Sequence, residues 1–324
     1  MTSFQANAPF KLPSTDSDIP VFHVFDQEDI DAVEAALAAR RPLLVRGEPG
    51  VGKTQLAQAA AQVLGRGFCK MVVDARSEAR DLKWREDLVA RLADAQMMGT
   101  LPDRKRAHRE RGRLDPRNYV APGPLWWAFD WDGAARQAHR VNEQAPPSLG
   151  PTCDPANGVV ILIDEIDKAE PEVPNGLLEA LGAREFTPTG RMEPVRAGIW
   201  PLVVITTNEE RRLPDAFLRR CVVHDMSPPS DPDDLKAWLV ARGKTHFAHA
   251  PSTLLKEAAD QTVQDRQACE AQRLRPLPGQ AEYLDLLRAV LSDEAVRDLP
   301  AAERLNRLAP YFLKKHPELR KPRT

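Results

Sequence analysis

The stretch Gly47-Glu48-Pro49-Gly50-Val51-Gly52-Lys53-Thr54 constrains this chain more than any other, because it stands between the apolar run Pro42-Leu43-Leu44-Val45 and an Ala- and Gln-rich segment from Thr54 to Leu64. It fits G-x-x-x-x-G-K-[ST], in which small residues let successive backbone N–H groups converge on phosphate oxygens at a helix N-terminus. A strand before the loop and a helix after it are what that geometry requires. Lys53 is then placed to reach the β- and γ-phosphates of a nucleotide, and the Thr54 hydroxyl to ligate magnesium.

The flanking pattern agrees. Ile30, Val33 and Leu37 recur at helical spacing, and strands are expected at Pro42–Val45, Lys70–Asp74, Val159–Ile163, Leu202–Thr206 and Val222–Val223, with an amphipathic helix after Pro174. Strands alternating with helices predict an α/β fold with a largely parallel sheet covered on both faces. Residues 76–157 break that rhythm and read as an insertion. Beyond the Pro-rich stretch Ser227–Pro232 only helical patterns occur, near 232–247, 279–292 and 301–314. The expected organisation is a flexible segment over 1–25, a nucleotide-binding α/β domain over 26–227, and a small all-helical lid domain over 228–324.

With 45 Lys+Arg against 47 Asp+Glu and a formal charge of -2, no overall field draws polyanions, so any nucleic-acid affinity would be local. The four cysteines lie dozens of residues apart without a C-x-x-C pair, which fits reduced thiols rather than a disulfide framework or zinc site. The start of the chain is polar and the longest apolar runs are strand-sized, so no membrane insertion and a cytoplasmic location are expected.

The run Val159-Val160-Ile161-Leu162-Ile163 ends in Asp164-Glu165, two carboxylates at the C-terminal end of a strand, where α/β proteins bind ligands. Asp164 is the expected magnesium residue and Glu165 the group that polarises an attacking water. A second carboxylate favours hydrolysis over phosphate transfer, which must exclude water. The guanine-recognition motif N-K-x-D is absent, so a GTPase is disfavoured.

Taken in order, GEPGVGKT, VVILIDEIDKA and VVITTNEERRLPDAFLRRC resemble the Walker A, Walker B and sensor 1 to arginine-finger segments of MoxR-like AAA+ ATPases, over about residues 26–226. That resemblance implies a five-stranded parallel sheet with the sensor 1 strand between the Walker A and Walker B strands. It also implies an ATPase using ATP and Mg2+. Asn208 would be sensor 1, Arg220 or the adjacent Arg219 the finger reaching a neighbouring subunit's nucleotide, and Arg275 the candidate for sensor 2. The family works as rings, most often hexamers, serving partners with a von Willebrand factor A domain. Cys221 departs from the pattern, standing where an aromatic is usual. Glu185–Met192 resembles the family's pre-sensor hairpin, or is a plain surface hairpin.

Two other readings remain open. Arg104, Lys105, Arg106, Arg109, Arg111 and Arg113 are followed by Trp126, Trp127 and Trp131, which would suit a nucleic-acid-stimulated motor with aromatic stacking, or else a solvated face followed by core anchors. A nucleotide-controlled assembly scaffold that scarcely hydrolyses ATP would carry the same loop.

Overall fold

A computed structural model describes residues 4–13, 21–99, 114–189, 192–292 and 299–316. The chain divides into two compact units. The first is built from Asp26–Arg46 and Leu56–His224; the second from Ala6–Phe25, Gly47–Gln55 and the chain from Asp225 onward.

In the first unit β3 (Leu43–Arg46), β4 (Arg66–Val72), β7 (Asp154–Asp164), β10 (Leu202–Thr207) and β11 (Val222–Asp225) form a five-stranded sheet in the order β11-β3-β10-β7-β4. The pairs β10–β3, β10–β7 and β4–β7 are parallel. The strand ending in Asn208's predecessor thus lies between the strand leading into the glycine-rich loop and the strand ending in Asp164, as the resemblance implied. The middles of its central strands are apolar because both faces are covered; Val160, Ile161, Leu162 and Ile163 are all fully buried.

Helices α1 (Gln27–Ala39) and α2 (Lys53–Val63) flank this sheet in sequence. The insertion folds: β5 (Trp84–Glu86) pairs antiparallel with β6 (Val120–Pro122), α3 (Leu88–Gly99) lies between them in sequence, and α4 (Pro124–Phe129) and α5 (Trp131–Arg140) follow. Trp126, Trp127 and Phe129 join the sheet residues Ile161 and Ile163 in one core. Next come α6 (Glu172–Ala183), the antiparallel pair β8 (Glu185–Phe186) and β9 (Val195–Arg196), and the short α7 (Asp215–Leu218).

The second unit is mainly helical: α8 (Pro232–His246), α9 (Ser252–Ala271), α10 (Gln280–Leu291) and α11 (Ala301–Phe312) share a core of Leu239, Leu255, Tyr283, Leu287 and Leu305. The 20-residue α9 was not expected from the sequence. Nor was the hairpin of β1 (Pro9–Leu12) and β2 (Val21–Val24), which lies within the stretch expected to be flexible. Arg242 of α8 donates to the Val24 carbonyl at 2.9 Å and ties the hairpin to the helices. No helix among the described residues is long and apolar enough to cross a membrane, and all four cysteines are free thiols.

Candidate functional site

The glycine-rich loop belongs to the second unit, and its shape depends on missing side chains. Gly47 sits at φ +142°, and a Cβ there would stand 2.2 Å from the Met226 carbonyl oxygen; Gly50 sits at φ +84°, where a Cβ would come within 2.6 Å of the Ala281 methyl. Both positions therefore exclude an L side chain on conformation and on space. Lys53 is nearly buried, and its ammonium donates to the carbonyls of Gly47 at 2.7 Å and Glu48 at 3.0 Å. Val51 is buried below the loop, Gly52 and Thr54 are half-buried, and Pro49 faces solvent. The loop thus has its lysine folded back over its own backbone and its N–H groups unobstructed by Cβ atoms, the arrangement that cradles phosphate.

Glu48 meets an unexpected partner. Arg266 of α9 grips it in a two-pronged ion pair, Nη1 to Oε2 at 2.8 Å and Nη2 to Oε1 at 2.8 Å. Arg275 is more distant, its Nη1 3.9 Å from Glu48 Oε1, and its side chain is largely exposed.

In the first unit the sheet aligns its C-terminal edge: Arg46 lies opposite Thr207, and Ile205 opposite Ile163, one residue before Asp164. Thr206, 1% exposed, organises the acid pair with one hydroxyl. It donates to Asp164 Oδ1 at 2.6 Å and accepts from the Glu165 backbone N–H at 3.0 Å. Lys70 of β4 stands 2.8 Å from the other Asp164 oxygen. Glu165 takes a left-handed backbone at φ 63°, uncommon for a non-glycine residue and a form of strain that tends to gather at functional sites. It accepts from Lys168 at 2.8 Å, and that hydrogen bond with its charge holds the Lys168 pKa above the usual lysine value despite some desolvation.

Asn208 follows β10 directly. The loop after it is pinned from below, where the buried Asp167 accepts from the Glu210 N–H at 2.9 Å. Arg219 and Arg220 end the turn after α7 with both side chains exposed, while Phe217 and Cys221 anchor that turn in the core; burial pushes the Cys221 thiol up to about 12.

Sequence reasoning missed Arg266, Thr206, Lys70, Lys168 and Asp167. Thr206 had a signal, a hydroxyl directly after the apolar run of β10; Arg266 had none, being one charged residue on an unrecognised helix. Trp126 and Trp127, at 4% and 5% exposure, are core anchors and offer no face for base stacking. The basic residues Arg104 to Arg113 lie outside the described residues, as does Gly190 of the expected Thr-Gly turn. The hairpin pairs Phe186 with Val195, wider than expected, and packs Phe186 against Trp84 and Phe129.

Residues 42–221, more than half of the chain, match the AAA domain of the dynein-related subfamily. A solved structure from Cytophaga hutchinsonii, described as a "putative ATPase", is 14% identical over 89% of this chain and 85% of that chain, with a TM-score of 0.37. No curated protein matches the chain. On the family match and the sheet order, the chain belongs to the AAA domain family, dynein-related subfamily.

Proposed function

We propose that the chain is a MoxR-like AAA+ ATPase that hydrolyses ATP with Mg2+ and uses the resulting motion to remodel a partner protein. The observation that carries this is an ordered Asp-Glu pair at the end of β7 in a chain whose glycine-rich loop has the form that cradles phosphate. Lys53 draws the outer phosphates. Thr54 and Asp164 offer one hydroxyl and one carboxylate, the sparse oxygen set that suits Mg2+ shared with phosphates. When bound, Mg2+ supplies charge neutralisation on the outer phosphates. Glu165 orients and polarises water, Asn208 holds that water from the neighbouring strand, and Arg220 or Arg219 serves the adjacent subunit's site. A guanidinium supplied in this way is worth about 10³–10⁵ in rate.

A finger supplied in trans requires a ring, for which a hexamer is the family's usual form. The von Willebrand factor A domain remains the partner class that the MoxR resemblance suggests. Turnover measured across protein concentrations tests the reading. ATPase activity should rise with assembly, vanish in Lys53→Ala through lost binding, and vanish in Glu165→Gln with binding retained. Wild-type protein that neither binds nor hydrolyses ATP at any concentration would end it.

One observation favours the scaffold reading as a second choice: each acid of the pair is engaged by a lysine, Asp164 by Lys70 and Glu165 by Lys168. A scaffold would bind ATP and assemble, and Glu165→Gln would leave its slow turnover where it was.

A further inference from the structure

A carboxylate in the second position of a phosphate cradle works against the cradle, since it adds negative charge beside a polyanion. Glu48 is in that position, yet it does not stand alone. The Arg266 fork covers both of its oxygens at 2.8 Å, and the Arg266 side chain is only 12% exposed. The guanidinium is itself fixed on two further sides: Nη1 donates to the Pro278 carbonyl at 3.3 Å, and Nε lies 3.3 Å from Glu270, one helical turn along α9. Pro278 leads into α10, whose Ala281 is the residue packed against Gly50. One arginine therefore joins α9, the α9–α10 connection and the loop. The carbonyl of Glu48 also accepts from the Lys53 ammonium at 3.0 Å, so the residue gripped by Arg266 touches Lys53 as well.

We propose that Arg266 is a positioning residue for nucleotide binding that acts through Glu48, holding its carboxylate and cancelling its charge in the cradle. Planar two-pronged pairing is what distinguishes arginine from lysine for this task. The inference rests on the reading that the loop binds ATP. It predicts effects of opposite sign from the two partners. Removing the arginine leaves a lone negative charge in the cradle; removing the carboxylate leaves a lone positive one. A pair that merely braced the fold would weaken binding whichever member was lost.

The test is ATP affinity, measured by calorimetry at fixed Mg2+, with kcat and KM in parallel. Arg266→Ala is expected to weaken ATP binding by about tenfold or more, mostly in KM, from an uncompensated charge at short range. Glu48→Gln should tighten binding, and the double variant should return to within about threefold of wild type. Arg266→Lys, which keeps the charge but not the fork, should fall between wild type and Arg266→Ala, and it covers the case in which the alanine variant folds poorly. Equal weakening by both single variants, or a double variant no better than Arg266→Ala, would overturn the proposal. Lys53→Ala separates the two readings. If wild type binds ATP and Lys53→Ala does not, while Arg266→Ala binds normally, only the role of Arg266 falls; if wild type binds no ATP, the nucleotide reading falls with it.

Discussion

The acid pair and the glycine-rich loop are held by different physics. In the first unit the acid pair ends a buried strand, so the sheet register fixes the backbone and one buried hydroxyl, Thr206, sets both acids. In the second unit the loop has no ladder to hold it. Its form rests on glycine backbones that no other residue could replace, on close packing at Met226 and Ala281, and on the Glu48–Arg266 pair. Substitutions in the loop should therefore destroy a conformation, whereas those beside the acids should loosen an orientation.

Gly47→Ala gives the sharpest contrast. A methyl 2.2 Å from the Met226 oxygen, at φ +142°, cannot be housed without moving backbone. Nucleotide binding should drop about a hundredfold or more, with about 3 kcal/mol or more of local destabilisation. Calorimetry checks the first and thermal melting the second. Near-normal binding by this variant would show that the loop is softer than its contacts imply.

Thr206→Val comes next and tests the acid pair. The shape is kept, but a carboxylate oxygen and a backbone N–H each lose a partner, costing about 1–3 kcal/mol. Turnover should fall about tenfold or more with ATP affinity little changed, and Thr206→Ser should restore most of it. A fall confined to affinity would contradict the view that this hydroxyl orients the acids.

The same contrast explains what could be read from the sequence. The loop is a spacing of glycines with a lysine, and residues 159–163 of β7 are an unbroken apolar run; both are local patterns, since each residue type is dictated by its own immediate geometry. Sheet order followed only from the family resemblance, because pairing is a long-range property. The helix α9 was obscure because Ala258, Ala259, Thr262 and Cys269 occupy much of its buried face, leaving little contrast with the polar side. β1 and β2 are four residues each and depend on tertiary contacts such as Arg242 with Val24. Arg266 stayed hidden because an ion pair across 218 residues has no sequence signature.

Within the second unit a pH effect should be smaller. His246, at the end of α8, is held near a pKa of about 4 by burial and by the charges of Arg288 and Arg242, and it packs edge-on against Phe22. A histidine depressed on folding stabilises the fold above its unfolded value of about 6.5 and loses that contribution as pH falls toward 4. Stability should therefore decline by about 1 kcal/mol between pH 7 and pH 5 once solvent screening is allowed for. His246→Phe should flatten that slope in denaturant titrations at the two pH values. An unchanged slope would remove His246 as its source.

The smallest effect expected lies back at the acid pair. Lys168 holds the Glu165 side chain from a position where both partners keep substantial solvent contact, 39% and 31% exposed, and solvent screening leaves such ion pairs weak. If hydrolysis needs Glu165 to turn from Lys168 toward water, Lys168→Ala should raise turnover by up to about fivefold at low salt. The gain should shrink as ionic strength rises in the wild type, since screening already weakens the pair there. The buried Thr206 contacts, by comparison, should show little salt dependence. A Lys168→Ala variant that is slower than wild type at every salt concentration would mean that the lysine supports the reactive position of Glu165, and that both acids, not Asp164 alone, are held in working geometry by their neighbours.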